Sequence, residues 1–202
     1  MERPDPDIRK RPDLTIRNAR EDDAAVIARC VMAALGKEDT ESPSEFLVDI
    51  CRERGTLYSW ENTIVCDADG VAAAVMVSYD GNLYTQMREK TFNMVKSAGG
   101  PELFANPLET GPGEYYLDSL AALPQYRGLG LGKILMENAI DRAQKAGYDN
   151  ITLVADPLHP RLISYYESIG FRTFGAPEVF FGTEFIRMRL HGGEASRQQT
   201  QA

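Results

Sequence analysis

Eleven residues constrain this chain more than any others: Leu123-Pro124-Gln125-Tyr126-Arg127-Gly128-Leu129-Gly130-Leu131-Gly132-Lys133. They close a strand-like run, Tyr115 to Leu123, and open a helix-like one, Gly130 to Ala146. In the second run Leu131, Ile134, Leu135, Ala139, Ala143 and Ala146 fall on one side, and Gly147 stands just past the end, where a left-handed cap is wanted. Three alternating glycines at such a junction remove side chains where backbone must approach something closely. The helix start adds unpaired N–H groups and a positive dipole end, and Arg127 and Lys133 add charge. The segment therefore reads as an anion cradle. It is not a GxxxxGK[ST] loop, because Arg127 stands at the first glycine position and Ile134 at the hydroxyl position. It is not a GxGxxG turn either, because Lys133 occupies the last glycine position. A single glycine would read as a turn that merely fixes strand–helix geometry; Arg-Gly-x-Gly-x-Gly does not.

The rest of the chain supplies the frame. Leu14 to Arg17 reads as a first strand. Asp22 and Asp23 then precede Ala24, Ile27, Ala28, Val31, Ala34 and Leu35, an amphipathic helical stripe ended by Gly36. Ser42 to Arg52 reads as a second helix. Thr63 to Asp67 and Val71 to Ser78 form a hairpin across Asp69-Gly70. Residues 80–113 interrupt the pattern with Gly81, Gly99-Gly100-Pro101, Pro107 and Gly111-Pro112-Gly113; Leu83 to Val95 could be helical, and so long a segment is either partly helical or functional. Asn150 to Ala155 is a strand, Pro160 to Ile169 a short helix, and Phe171 onward and Glu184 to Leu190 the last strands. A βαβ unit at 115–155 among hairpins gives an α/β or α+β class with a mixed sheet. One domain is expected from about residue 13 to 191, with a disordered arm at 1–12 and a disordered tail at 192–202.

Charge and composition exclude several classes. A net charge of -8 opposes binding to a phosphate backbone, so no nucleic-acid partner is expected. The same charge steers cationic substrates mildly, although its larger effect is on solubility. No apolar run approaches the roughly 20 residues that span a bilayer, so no membrane partner is expected. Three cysteines without a CxxC spacing, and an N-terminus without an apolar stretch, point to the cytoplasm. Two histidines and no Cys/His cluster give no reason to expect a metal.

Arg127 to Gly132 resembles the [QR]-x-x-G-x-[GA] pyrophosphate motif of the GNAT superfamily of N-acetyltransferases. Leu120-Ala121-Ala122-Leu123-Pro124 resembles the strand that precedes this turn in the family. Pro160 to Phe171 resembles the family's N-x-x-A-x-x-x-Y-E-x-x-G-F helix, with His159 where Asn is usual and Leu162 where Ala is usual. Ile16-Arg17 through Asp23 to Ile27 resembles its opening strand and helix. The resemblance implies a central mixed, mostly antiparallel twisted sheet of about six to seven strands flanked by about four helices, with residues 80–113 as an insertion. It implies acetyl-CoA as acyl donor, its pyrophosphate on the amides of Arg127, Gly128, Leu129, Gly130, Leu131, Gly132 and Lys133. The pantetheine arm would lie along Leu120, Ala121 and Ala122, with His159 and Arg161 on the cofactor side. Tyr166 falls on the tyrosine that protonates the departing thiolate, and as an isolated residue it would read as a core aromatic.

A base must be sought in the residues themselves. Alternation puts Glu114, Tyr116, Asp118 and Leu120 on one face of the strand. Asp118 is an acid inside an apolar run, costly unless it has a partner or a task. It reads equally as a base or as a structural hydrogen-bond acceptor; Glu114, at the strand's start, is the weaker candidate and reads more as a solvated acid, and a water relay to either would serve. Tyr79, Tyr84 and Arg88 stand at the mouth of the 80–113 segment, where an acceptor would bind, although packing of that segment is the stronger reading for any one of them; Trp60 and Asn62 could line the same cleft, with core the stronger reading for Trp60. The expected function is transfer of the acetyl group of acetyl-CoA to a primary amine of a small molecule or peptide. The alternatives are a non-catalytic acyl-CoA-binding module and a transferase using a longer acyl-CoA. A homodimer could form through residues 80–113 or the final strands.

Overall fold

The computed structural model describes residues 12–36 and 42–191; apart from Pro12, the expected arm and tail lie outside the described residues. Seven strands form one sheet: β1 (Leu14–Asn18), β2 (Thr63–Ala68), β3 (Val71–Asp80), β4 (Glu114–Ala122), β5 (Asn150–Ala155), β6 (Arg172–Phe180) and β7 (Thr183–His191), in the order β1-β2-β3-β4-β5-β7-β6. Every neighbouring pair is antiparallel except β4–β5. That parallel pair needs a crossover, and α4 (Leu131–Lys145) supplies it. The other helices are α1 (Ala24–Ala34), α2 (Glu45–Arg52), α3 (Tyr84–Ser97) and α5 (Pro160–Ser168). Five helices rather than about four flank the sheet, because the first half of the 80–113 segment is a full helix, α3.

The sheet is covered on both faces. α4 and α5 pack against Ile64, Met76, Leu117, Ile151, Leu153 and Met188 through residues such as Leu135, Met136 and Tyr166. α1, α2 and α3 pack on the other face against Val65, Val75, Val77 and Tyr116. The stripe read in α1 is buried as far as Val31, with Ile27, Ala28 and Val31 0% exposed, whereas Ala34 and Leu35 at its end are exposed. Each large side chain so buried contributes about 1.5–3 kcal/mol relative to an exposed one. Arg17 on β1 ties this layer to the sheet edge, its guanidinium 2.7 Å from both Asp23, just before α1, and Asp67 on β2.

Two irregularities in β4 open the centre of the sheet. Val77 pairs with Ser119 and its neighbour Ser78 with Leu117, so Asp118 is an extra residue, a β-bulge. Beyond Tyr116, β4 also parts from β5: only Glu114↔Asn150, Tyr115↔Ile151 and Tyr116↔Thr152 are paired. From Asp118 to Ala122 the strand keeps β3 on one side and has an open edge on the other.

Candidate active site

The glycine turn stands at the mouth of this gap. Gly128 and Gly130 have φ of 80° and 79°, in the left-handed region that an L side chain enters only at a cost of about 1–2 kcal/mol. Gly130 is the N-cap of α4, and no side chain caps the helix there. A Cβ at Gly128 or Gly130 would meet no atom within 4 Å, so the space before the turn is open. The donors are therefore the turn's own N–H groups, which suits a pyrophosphate. Leu131 is buried and anchors the helix, while Leu129 points to solvent. Lys133 is exposed and lies 3.7 Å from Glu137; Arg127 is exposed, with Nε 3.4 Å from the Ala122 carbonyl.

Leu120 and Ala122 pack on the α4 side of the sheet, and Ala121 on the other. This corrects the expected alternation. Glu114, Tyr116 and Asp118 do share the α1–α3 face, but the bulge at Asp118 turns Leu120 to the opposite one. On the α4 side, Tyr166 leaves α5 with its ring against Tyr165 and Phe171 at 5.7 and 6.0 Å. Its hydroxyl forms no hydrogen bond among the described residues. Burial, and then Tyr165, push its pKa up to about 12. His159 precedes α5 with its ring 67% exposed and 3.6 Å from Asp156, and Arg161 is exposed in the first turn.

The α1–α3 face of the gap is acidic and phenolic. Asp118 accepts hydrogen bonds from the Tyr79 hydroxyl at 2.6 Å and the Ser119 hydroxyl at 2.8 Å. Burial raises its pKa against the effect of those two bonds. A second carboxylate, Glu109, accepts the Tyr116 hydroxyl at 2.7 Å. Burial first, and the Asp118 charge next, push Glu109 up to about 7. Glu109 escapes a reading of the sequence because it sits among Pro107, Gly111 and Pro112, where no periodicity reports a direction. Its only mark there is being an acid in the apolar-to-glycine stretch just before β4.

Of the other expected residues, Tyr79 and Tyr84 belong to this cluster, their rings stacked 6.2 Å apart. Tyr84 also accepts the Glu109 N–H at 3.3 Å. Arg88 does not reach out to an acceptor: it is buried, donates to the Asn106 carbonyl at 2.7 Å and lies 4.5 Å over Phe92. Glu114 is equally committed, 3.3 and 3.5 Å from Arg187 and Arg189, and accepts the Thr110 and Thr152 hydroxyls. Such a clamped carboxylate is a joint between β4, β5 and β7. Asn62 closes the loop before β2 by donating to the Thr56 carbonyl, and lines a separate surface groove with Leu83, Met87 and Lys90. Trp60 lies under Arg54, 5.2 Å from its guanidinium.

A family model described as "Acetyltransferase (GNAT) family" matches residues 38–171, more than half of the chain. Serotonin N-acetyltransferase 2, chloroplastic, of Oryza sativa subsp. japonica is 32% identical over 93 residues, 46% of this chain and 44% of that protein. An uncharacterized N-acetyltransferase of Porphyra purpurea is 42% identical over 48 residues, 24% of this chain and 26% of that one. The chain thus matches less than half the length of these curated relatives. Among solved structures, an N-acetyltransferase from Staphylococcus aureus Mu50 superposes with a TM-score of 0.71 at 19% identity, covering 87% of this chain and 100% of its own. The structure of yncA from Salmonella typhimurium, solved with its cofactor acetyl-CoA, superposes at 0.56 with 20% identity, over 90% and 95% of the two chains. At these identities the superpositions show the fold.

Proposed function

The chain belongs to the GNAT acetyltransferase family, and from that premise we propose that it transfers the acetyl group of acetyl-CoA directly to a primary amine. The observation that carries this reading is the uncapped, open glycine turn at the head of α4, set beside the β4 edge that β5 leaves free. The N–H groups of residues 128–133 would hold the pyrophosphate. The free edge of Asp118 to Ala122 would pair with the amides of the pantetheine arm and bring the thioester into the gap. Its N–H groups would polarise the carbonyl as the oxygen gains charge. Tyr166 stands on the α4 side to protonate the sulfur, and the carboxylates stand on the α1–α3 side, where the amine enters. Acid and base thus approach one thioester from opposite faces of the sheet.

The acidic cluster favours an acceptor that arrives as a cation. The rice relative is named for serotonin, an arylalkylamine, and such an amine is the first acceptor to try. Three buried free thiols, Cys30, Cys51 and Cys66, fit a reducing compartment such as the cytoplasm.

Calorimetry with acetyl-CoA, CoA and NADH tests the cradle, with Gly130→Glu as the variant. Glutamate there places a side chain and a negative charge before the turn. The wild type is expected to bind both CoA species and not NADH. The variant, shown folded by circular dichroism, is expected to lose at least 100-fold in affinity. A wild-type protein that binds neither CoA species overturns the reading.

A further inference from the structure

Tyr79 and Tyr116 face each other across β3 and β4 as direct register partners, with ring centroids 5.7 Å apart. Each hydroxyl ends on a different carboxylate: Tyr79 on Asp118 and Tyr116 on Glu109. The tyrosine pair thereby brings together two acids that are remote in local structure, one from the bulge of β4 and one from the segment before it. Both residues are partly exposed although their carboxyl groups are largely buried, and neither forms an ion pair with a described residue. The cations that face Glu109 act on it by charge but form no ion pair with it. Arg88 of α3 donates to loop carbonyls, and Arg187 of β7 donates to the Glu109 carbonyl at 3.0 Å and lies 3.3 Å from Glu114. The remaining groups that face the pair are phenols, Tyr84 of α3 and Tyr58 before β2, both held neutral by burial and by these acids. Arg88 and Arg187 lower the Glu109 pKa by their charge, less than burial and Asp118 raise it, so the site favours an arriving ammonium. Each carboxylate also has lone pairs beyond those its tyrosine uses.

We propose that Glu109 takes the proton of the acceptor amine, with Tyr116 fixing its carboxylate and Asp118 supplying the second negative charge that holds the ammonium. The proposal rests on the acetyltransferase reading and assigns the base within it. The amine enters as RNH3+ and gives one proton to Glu109. The freed lone pair forms the C–N bond; the C–S bond breaks, and its electron pair leaves on sulfur. Tyr166 protonates that sulfur and is reprotonated through water by the second proton that nitrogen sheds. Glu109 releases its own proton to solvent, so one proton is lost per acetyl group transferred.

The test is the pH profile of kcat/KM for acetyl transfer to serotonin, spermidine and a lysine-containing peptide, with free thiol as readout. The base works only when ionised, so the rate is expected to rise with pH through about 7, where burial and Asp118 place Glu109. Glu109→Gln is expected to abolish that rise and lower kcat about 100-fold or more, with acetyl-CoA affinity unchanged by calorimetry. Removing the Asp118 charge lowers the Glu109 pKa, so Asp118→Asn is expected to move the rise to lower pH and raise the KM for amine. Removing the Tyr116 hydroxyl takes a hydrogen bond from the carboxylate, so Tyr116→Phe is expected to move the rise to higher pH. Opposite shifts are not expected of a merely structural cluster. A Glu109→Gln protein that keeps the wild-type rate and rise overturns the proposal and leaves the acetyltransferase reading standing. A wild type that transfers acetyl to none of the amines overturns both.

Discussion

Tyr166 is a phenol that burial holds protonated at any working pH, with a hydroxyl that forms no bond among the described residues. Removing that oxygen therefore leaves no protein partner unsatisfied. Tyr166→Phe is expected to unfold within about 0.5 kcal/mol of the wild type while kcat falls about 100-fold, a contrast that denaturant titration and initial rates would show together. A core tyrosine would lose neither. The sequence marks Tyr166 through the Tyr-Glu-x-x-Gly-Phe spacing, and the cradle through its glycines. Asp118 is visible as an acid in an apolar strand. Glu109 is not, because its importance comes from Tyr116, whose phenol meets it only after the chain has folded. Arg88 follows the packing reading: a guanidinium at a cleft's mouth can suggest a ligand, and here it donates to a loop carbonyl instead.

At the scale of elements, periodicity places most boundaries within a few residues, from α1 to the final hairpin. It cannot give the bulge at Asp118, which depends on how β4 sits against β3 and which sends Leu120 to the face opposite the one alternation predicts. Nor can it show how the 80–113 segment docks. Gly81 makes that docking possible by backbone contact: its N–H donates to the Glu114 carbonyl at 2.8 Å, and a Cβ there would lie 2.1 Å from the Gly111 carbonyl oxygen. Gly81→Ala must push the 111–114 turn away from β3. We expect a loss of about 1–3 kcal/mol in stability, measured by denaturant unfolding. The displaced turn also carries Glu109 away from Tyr116, so acetyl transfer should fall more than acetyl-CoA binding does.

For the whole molecule, the parting of β4 from β5 places an open strand edge near the middle of a seven-stranded sheet. Interior strands ordinarily exchange their amide hydrogens slowest, because only global unfolding exposes them. Here the alternate amides of 118–122 that point away from β3 are expected to exchange with deuterium as quickly as a surface loop. Their neighbours bonded to β3 should remain protected. Saturating acetyl-CoA should slow the fast set selectively, and exchange followed by mass spectrometry or NMR would read it. On the proposed reading the missing strand of this sheet arrives with the donor, and occupancy of the gap would then set the rigidity of the molecule's centre as well as its readiness to react.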